Sequence, residues 1–432
     1  MRKLSYRRAV DFLFGLETSG IKLGLERTIN LLEALGNPHH RFKSVHVAGT
    51  NGKGSVACYL NSIMFHSGMR TGLFTSPHLV DYRERVRVNG AAVSRGDVAG
   101  LVSDLEGPVL ETGASYFEAT TALAFEHFAR KGIEVGVIEV GMGGRLDSTN
   151  VLSPVVSCIT SIDFDHTKYL GRTLARIAGE KAGIIKQGIP VLCGRLSRRA
   201  SDAIRSVAAD RKSRVFEMGK DASFHILRMD MDGSSFEYKG PGGTRLLEVK
   251  APGLGHVTNA ATALLAVDVM RLQGFKIDEQ AVGAGLRRAV WPGRFQVVRR
   301  RPLVILDAAH NVSGTRLLVK SLKALGLTDL VIVFGVLRDK DYSAMLSLLS
   351  SRSERLVFTK PDSKRALPLA ELKKAARGLG LHFDATASVA KAVRTALDIA
   401  GTGRPVLICG SLYSLGEAMQ ALGYKPYRVR VN

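Results

Sequence analysis

At 432 residues the chain exceeds one ordinary domain, and two are expected. A hydrophobic content of 45% suffices for sizeable cores, and 45 glycines suit many strand-to-helix turns. The net charge of +22 favours anionic partners such as nucleotides, polycarboxylates, nucleic acid or anionic lipid, while the lack of any apolar run of about 18 residues excludes a membrane-spanning helix.

In chain order, the basic start MRKLSYRRAVDFLFGLE is broken by Asp11 and Glu17 and makes no convincing signal peptide. KSVHVAG (43–49) reads as a strand, and SVACYLNSIMFHSG (55–68) as a helix closed by Gly68. TGLFTS (71–76), VGVIEVG (135–141) and VVSCITSI (155–162) are further strands, and 117–131 is a helix. This alternation predicts βαβ units in a doubly wound α/β sheet. FHILRMDMDGSSFEYKGPGG, within 213–250, predicts a β-hairpin, and NAATALLAVDVMRLQG (259–274) a helix. WPGRFQVVRRRP (291–302) carries the only Trp and marks a boundary between domains 1–292 and 293–432. Beyond it LVILDAAHN, LVIVFGV, RLVFTKP and PVLICGS alternate with helical stretches, giving a smaller α/β domain. Cys58, Cys158, Cys193 and Cys409 show no zinc spacing; they read as buried free thiols in a reducing cytoplasm.

GTNGKGS (49–55) lies between a strand and a helix, the context of a phosphate cradle. It departs from the strict P-loop: Val47 stands where a glycine is expected, and Gly54 separates Lys53 from Ser55. Even so, Gly49, Gly52 and Gly54 allow close backbone approach, Lys53 suits the β- and γ-phosphates, and the Ser55 hydroxyl suits Mg²⁺. Glu139 interrupts an apolar strand, where an unpaired charge is costly. At the C-terminal end of a parallel strand it would face the same crevice as the loop. His166 follows another strand beside Asp163 and Asp165. Lys181, beside Glu180, reads from the residues alone as a solvated helix lysine.

HVAGTNGKGS, TSPHLVDYRERVRVNG, YFEATTALAF, IEVGMGGRLDSTN, DHTKYLG, EKAGIIK, PGRF, LDAAHN, GVLRDKD and GSLY occur in this order over nearly the whole chain. Together they resemble the folylpolyglutamate synthase/dihydrofolate synthase family of the Mur ligase superfamily. The resemblance implies a P-loop-containing, doubly wound Mur-ligase-type ATPase domain and a smaller Rossmann-like α/β C-terminal domain. It implies an ATP-dependent ligase that converts a carboxylate to an acyl phosphate, then attaches L-glutamate to dihydropteroate, to folylpoly-γ-glutamate, or to both. A single-activity enzyme and a Mur-type ligase acting on another carboxylate are the alternatives.

By that resemblance Thr50, Asn51, Gly52, Lys53, Gly54, Ser55, Asn259, Arg294 and Asp307 would bind ATP. Ser55 and Glu139 would hold one Mg²⁺, and Glu139, His166 and Lys181 a second. Lys181 would carry a CO₂-derived carbamate, and K⁺ is a further cation the family allows. Lys53, Lys181, His166, Asp307 and His310 would be catalytic. Ser76, Pro77, His78, Phe117 and Glu118 would serve the pterin, with Arg83 and Arg85 as further candidates. His310 and Ser411 would serve the glutamate, with Asn311, Asp339 and Lys340 nearby. The expected partners are small molecules, with no nucleic acid and no membrane, and a monomer is expected. A nucleotide-switched nucleic-acid binder would account for the charge and the loop, but the chain carries no helix-turn-helix, zinc-finger or RNP-type motif.

Overall fold

In the computed structural model, which describes residues 4–19, 24–353 and 355–424, the β-branched runs of the first two-thirds form one eight-stranded sheet. Its strands are β1 (Lys43–Ala48), β2 (Thr71–Phe74), β3 (Val86–Val88), β4 (Ala91–Ala92), β5 (Val135–Glu139), β6 (Val156–Ile159), β7 (Val191–Cys193) and β8 (Val215–Glu217). They lie in the order β4-β3-β2-β5-β1-β6-β7-β8. The ladder is parallel from β2 to β8, and β3 and β4 run antiparallel at one edge.

Period-two alternation explains why these strands are apolar throughout. Val137 packs with the helices Lys53–His66 and Leu254–Leu272 on one face. Its neighbour Ile138 packs with Arg95–Thr112 and Tyr116–Lys131 on the other. Each such side chain, fully buried, contributes about 1.5–3 kcal/mol. A sheet covered on both faces sends its loops, and hence its chemistry, to the strand ends. Beyond β8, where a hairpin was expected, three strands form an antiparallel sheet: β9 (Ser223–Asp230), β10 (Gly233–Gly240) and β11 (Gly243–Val249). Phe236 and Tyr238 of β10 enter the first core, and the Tyr238 hydroxyl and Arg245 both donate to the buried Asp268 carboxylate, at 2.9 and 2.6 Å.

From Gln296 onward a second sheet is built from β12 (Gln296–Arg300), β13 (Leu303–Leu306), β14 (Val331–Phe334), β15 (Arg355–Thr359), β16 (Phe383–Thr386) and β17 (Val406–Cys409), in the order β12-β13-β17-β14-β15-β16. Only β12 runs antiparallel to its neighbour. Ile305, Ile332 and Leu407 face one core, and Val304, Val331 and Val406 the other.

Two local expectations shift. The helix after β1 starts at Lys53, because Gly52 adopts the left-handed conformation (φ 86°) that turns the chain into it. Lys181 is not a solvated helix lysine: it lies in the last turn of Leu174–Ala182 and is buried.

Candidate active site

A cavity of about 360 Å³ opens where the C-terminal ends of β1 and β5 face the second sheet. The whole segment from Gly49 to Ser55, including Thr50 and Asn51, lines it. Among the described residues no side chain caps the helix Lys53–His66, so its first-turn N–H groups remain for an anion. A Cβ on Gly52 would strike the side-chain oxygen of Asn259. A Cβ on Gly54 would come within 2.7 Å of the Trp291 ring, which explains why glycine separates Lys53 from Ser55. The Lys53 ammonium donates to the carbonyls of Gly49 and Thr50, at 3.2 and 3.3 Å, and so sits over the loop.

Glu139, His166 and Lys181 join the loop in this cavity. Glu139 is 4% exposed, and one carboxylate oxygen accepts the Ser76 N–H at 3.0 Å. Burial pushes its pKa up, against the pull of Lys53 and Arg294. Lys181 donates to the Gly49 carbonyl at 2.9 Å. Burial, and secondarily the nearby Lys53 charge, draws its pKa down to about 7. Burial likewise lowers His166 to about 4, leaving a neutral imidazole on a residue at φ 49°. Among the described residues no three His, Cys, Asp or Glu side chains form a metal cluster. The donors nevertheless suit Mg²⁺, which binds through one or two carboxylates and completes its shell with phosphate oxygens and water. A cation beside Glu139 would also relieve the desolvation of that carboxylate.

The second sheet closes the cavity with Asp307, His310 and Ser411. The Asp307 carboxylate accepts the N–H groups of Phe295 and Ala309, both at 2.8 Å, and so braces the PGRF turn. In that turn Arg294 is cavity-lining; burial lowers its pKa, against Asp307 and Glu139. Its backbone carbonyl accepts from His256 Nε2 at 2.7 Å, while His256 Nδ1 meets the Tyr59 hydroxyl at 2.9 Å. His310 Nδ1 is 2.8 Å from the Ala308 carbonyl, which fixes its ring. Ser411 caps the helix Leu412–Ala421 by accepting the Ser414 N–H at 3.0 Å.

Asp165 joins the two halves. Its carboxylate meets the Lys340 ammonium at 2.5 Å and the Asn311 amide at 3.0 Å, with His310 Nε2 at 3.5 Å. Burial alone would raise its pKa; the hydrogen bond from His310 and the charge of Lys340 outweigh burial and hold it well below the usual carboxylate range. Asn51 and Asn311 exchange amide hydrogen bonds at 3.1 and 3.0 Å across the same gap. Asp339 pairs with Lys340 and Arg365.

Three residues expected on the pterin side are not brought to the cavity. Ser76 and Pro77 line it; His78, Phe117 and Glu118 do not. Glu118 completes a capping box with Ser115 through one carboxylate oxygen and pairs with Arg27 at 3.2 Å. Phe117 fills the space above Gly141, next to Phe74. His78 accepts from Arg85 Nε at 2.8 Å. Arg85 itself is buried over the Tyr116 ring, and Arg83 pairs with Asp81. His256 and Arg365 also line the cavity, and no sequence motif pointed to either; Trp291, the lone Trp beside PGRF, does not line it but packs against Gly54 of the loop.

Residues 47–267 match the Mur ligase middle domain, and residues 293–412 match the Mur ligase glutamate ligase domain. The dihydrofolate synthase/folylpolyglutamate synthase of Bacillus subtilis is 33% identical over 430 residues, covering 97% of this chain and 99% of that protein. The chain belongs to the folylpolyglutamate synthase/dihydrofolate synthase family of Mur ligases. Solved members of this family share the fold. The Mycobacterium tuberculosis folylpolyglutamate synthase complexed with ADP and AMPPCP superposes with a TM-score of 0.90 at 30% identity, covering 98% of this chain and all of that one. The Escherichia coli FolC in complex with DHPP and ADP gives 0.87 at 32%, covering 96% and 97%. The chain spans about half the length (50%) of the probable bifunctional folylpolyglutamate synthase/dihydropteroate synthase of Haloferax volcanii, at 35% identity. No described helix is long and apolar enough to cross a membrane.

Proposed function

We propose that this family member attaches L-glutamate both to dihydropteroate and to folylpoly-γ-glutamate, at the expense of ATP. The observation that carries the reading is one cavity shared by an anion cradle from the first sheet and by His310 and Ser411 from the second. Residues 1–292 would hold ATP and the pterin substrate, and residues 293–432 would present the glutamate.

In this reading Lys53 and the first-turn N–H groups take up the charge of the transferring phosphoryl group, where fixed positive charge is worth most. Asn259 and Arg294 reach the same nucleotide, and Asp307 holds the Arg294 turn in place. Ser55, Glu139, His166 and a carbamylated Lys181 would hold two Mg²⁺ ions, which supply neutralisation of phosphate charge. The buried Lys181 amine, with its pKa near 7, is available in the neutral form that reacts with CO₂. His310, its ring fixed by the Ala308 carbonyl, and Ser411 would receive the glutamate whose amine attacks the acyl phosphate. On the pterin side this reading keeps Ser76 and Pro77. Four buried free cysteines suit a reducing compartment such as the cytoplasm, and a monomer remains the expectation.

The test is ATP-dependent phosphate release with Mg²⁺ and L-glutamate, on dihydropteroate and on tetrahydrofolate in parallel, with products weighed by mass spectrometry. A gain of one glutamate on both substrates is expected. A gain on one alone assigns a single activity, and a gain on neither removes the folate reading.

A further inference from the structure

The segment that leaves β2 runs from the active site into the second domain. At its start the Ser76 N–H donates to the Glu139 carboxylate at 3.0 Å. Three residues later its course is fixed by a single side chain. The Glu84 carboxylate, 6% exposed, accepts the N–H groups of Leu79, Val80 and Asp81 at 2.7, 2.8 and 2.9 Å. Charge-assisted bonds to three consecutive amides leave this stretch little freedom to move piecemeal.

The far end is seated in the other domain. Leu79 and Val80 pack against the core that contains Leu306, Leu415 and Met419. The backbone carbonyl of Leu79 lies against Gly416 in the helix Leu412–Ala421, so closely that no Cβ fits there. That helix begins at Ser411, which lines the cavity from the glutamate side. The same short segment therefore touches Glu139 at one end and the helix carrying Ser411 at the other.

We infer that Ser76–Asp81 is a strut: Glu84 stiffens it, Gly416 seats it, and the placement of the second domain is transmitted through it to the Glu139 carboxylate. Glu84, Leu79 and Gly416 are positioning residues in this scheme, and none of them lines the cavity. The role assigned to Glu139 rests on the ligase reading; the mechanical coupling does not.

Gly416→Ala tests the strut. Alanine is the better helix former, so the helix is not weakened, while its methyl group displaces the Leu79 carbonyl. Hydrogen exchange on the full-length protein is expected to speed up at the Ser76 amide as well as at residues 79–81. A merely local packing role would not reach Ser76. In the ligase assay kcat is expected to fall about tenfold, as for a small misplacement of a catalytic group, with the affinity for a non-hydrolysable ATP analogue unchanged. Leu79→Ala, which removes only the seated side chain, is expected to act in the same direction and more weakly; it decides the matter on the same readouts should Gly416→Ala not fold. Wild-type exchange at Ser76 in the folded variants overturns the strut, as does a loss of nucleotide affinity in step with kcat. Because exchange needs no turnover, a wild-type protein that fails to ligate overturns the ligase reading and leaves the strut to the exchange data.

Discussion

The two sides of the cavity were encoded differently. On the nucleotide side, the candidates drawn from GTNGKGS, Asn259 and PGRF all line the cavity. Of the candidates expected for the pterin, His78, Phe117 and Glu118 do not line it: His78 accepts from Arg85, Glu118 closes a helix cap, and Phe117 packs on the cavity-lining Gly141. A phosphate cradle is made of backbone N–H groups at a strand-to-helix turn, and its glycines are needed wherever that turn occurs. A pocket for a flat ring is made of side chains, whose direction depends on what else they can bond. Glu118 is three residues after Ser115 at a helix start, so the capping box claims it.

The largest expected effect is on the nucleotide side. Lys53→Ala removes the one loop cation and is expected to lower kcat by about 10³-fold, with an unchanged thermal melt, because Lys53 bonds only to nearby carbonyls. Near wild-type turnover would break the contrast between the two sides.

Lys181 should behave comparably, with a pH signature. Its pKa lies near 7 in the folded protein against an ordinary lysine value of 10.5. Carbamate forms from the neutral amine, so activity in bicarbonate-poor buffer should rise as pH increases through about 7 and fall below it, and added bicarbonate should raise it. The linked stability has the same sign. Between about 7 and 10.5 the unfolded chain binds the extra proton, so stability rises with pH across that window. Lys181→Ala should abolish both the bicarbonate response and turnover. A flat bicarbonate response in the wild type would count against the carbamate.

Gly54→Ala is expected to lower kcat about tenfold, since its methyl would press on the Trp291 ring and displace the loop. Trp291→Phe in the same chain should restore part of the loss by vacating that space. An equal loss in the single and double variants would show that Trp291 is not the reason for the glycine. The smallest effect belongs to the pterin side. Glu118→Gln should lower stability by about 1 kcal/mol, through the cap and the Arg27 pair, with KM for the pterin substrate unchanged. A raised KM without a change in melting temperature would return Glu118 to the substrate.

Much of the site was legible because strand ends converge. Glu139 stood out as a charge in an apolar strand, and the parallel sheet then brings it to the loop. Lys181 was legible only through a family motif. In isolation its helix reads as solvated, and the burial that lowers its pKa comes from distant packing. Asp165 was noticed only as a neighbour of His166, yet it is the residue that meets Lys340 and Asn311 across the gap.

The alternation of strands and helices, the glycine-rich turn at GTNGKGS and the family can be read from the residues, because each rests on periodicity, turn residues or ordered motifs within short stretches. Which polar side chains face the cavity and which are consumed by caps and pairs depends on long-range packing. The same packing puts Lys181 2.9 Å from the Gly49 carbonyl and seats Leu79 on Gly416. The reason is physical: backbone geometry is set by near neighbours in the chain, whereas desolvation and side-chain partners are set by whatever the fold packs alongside.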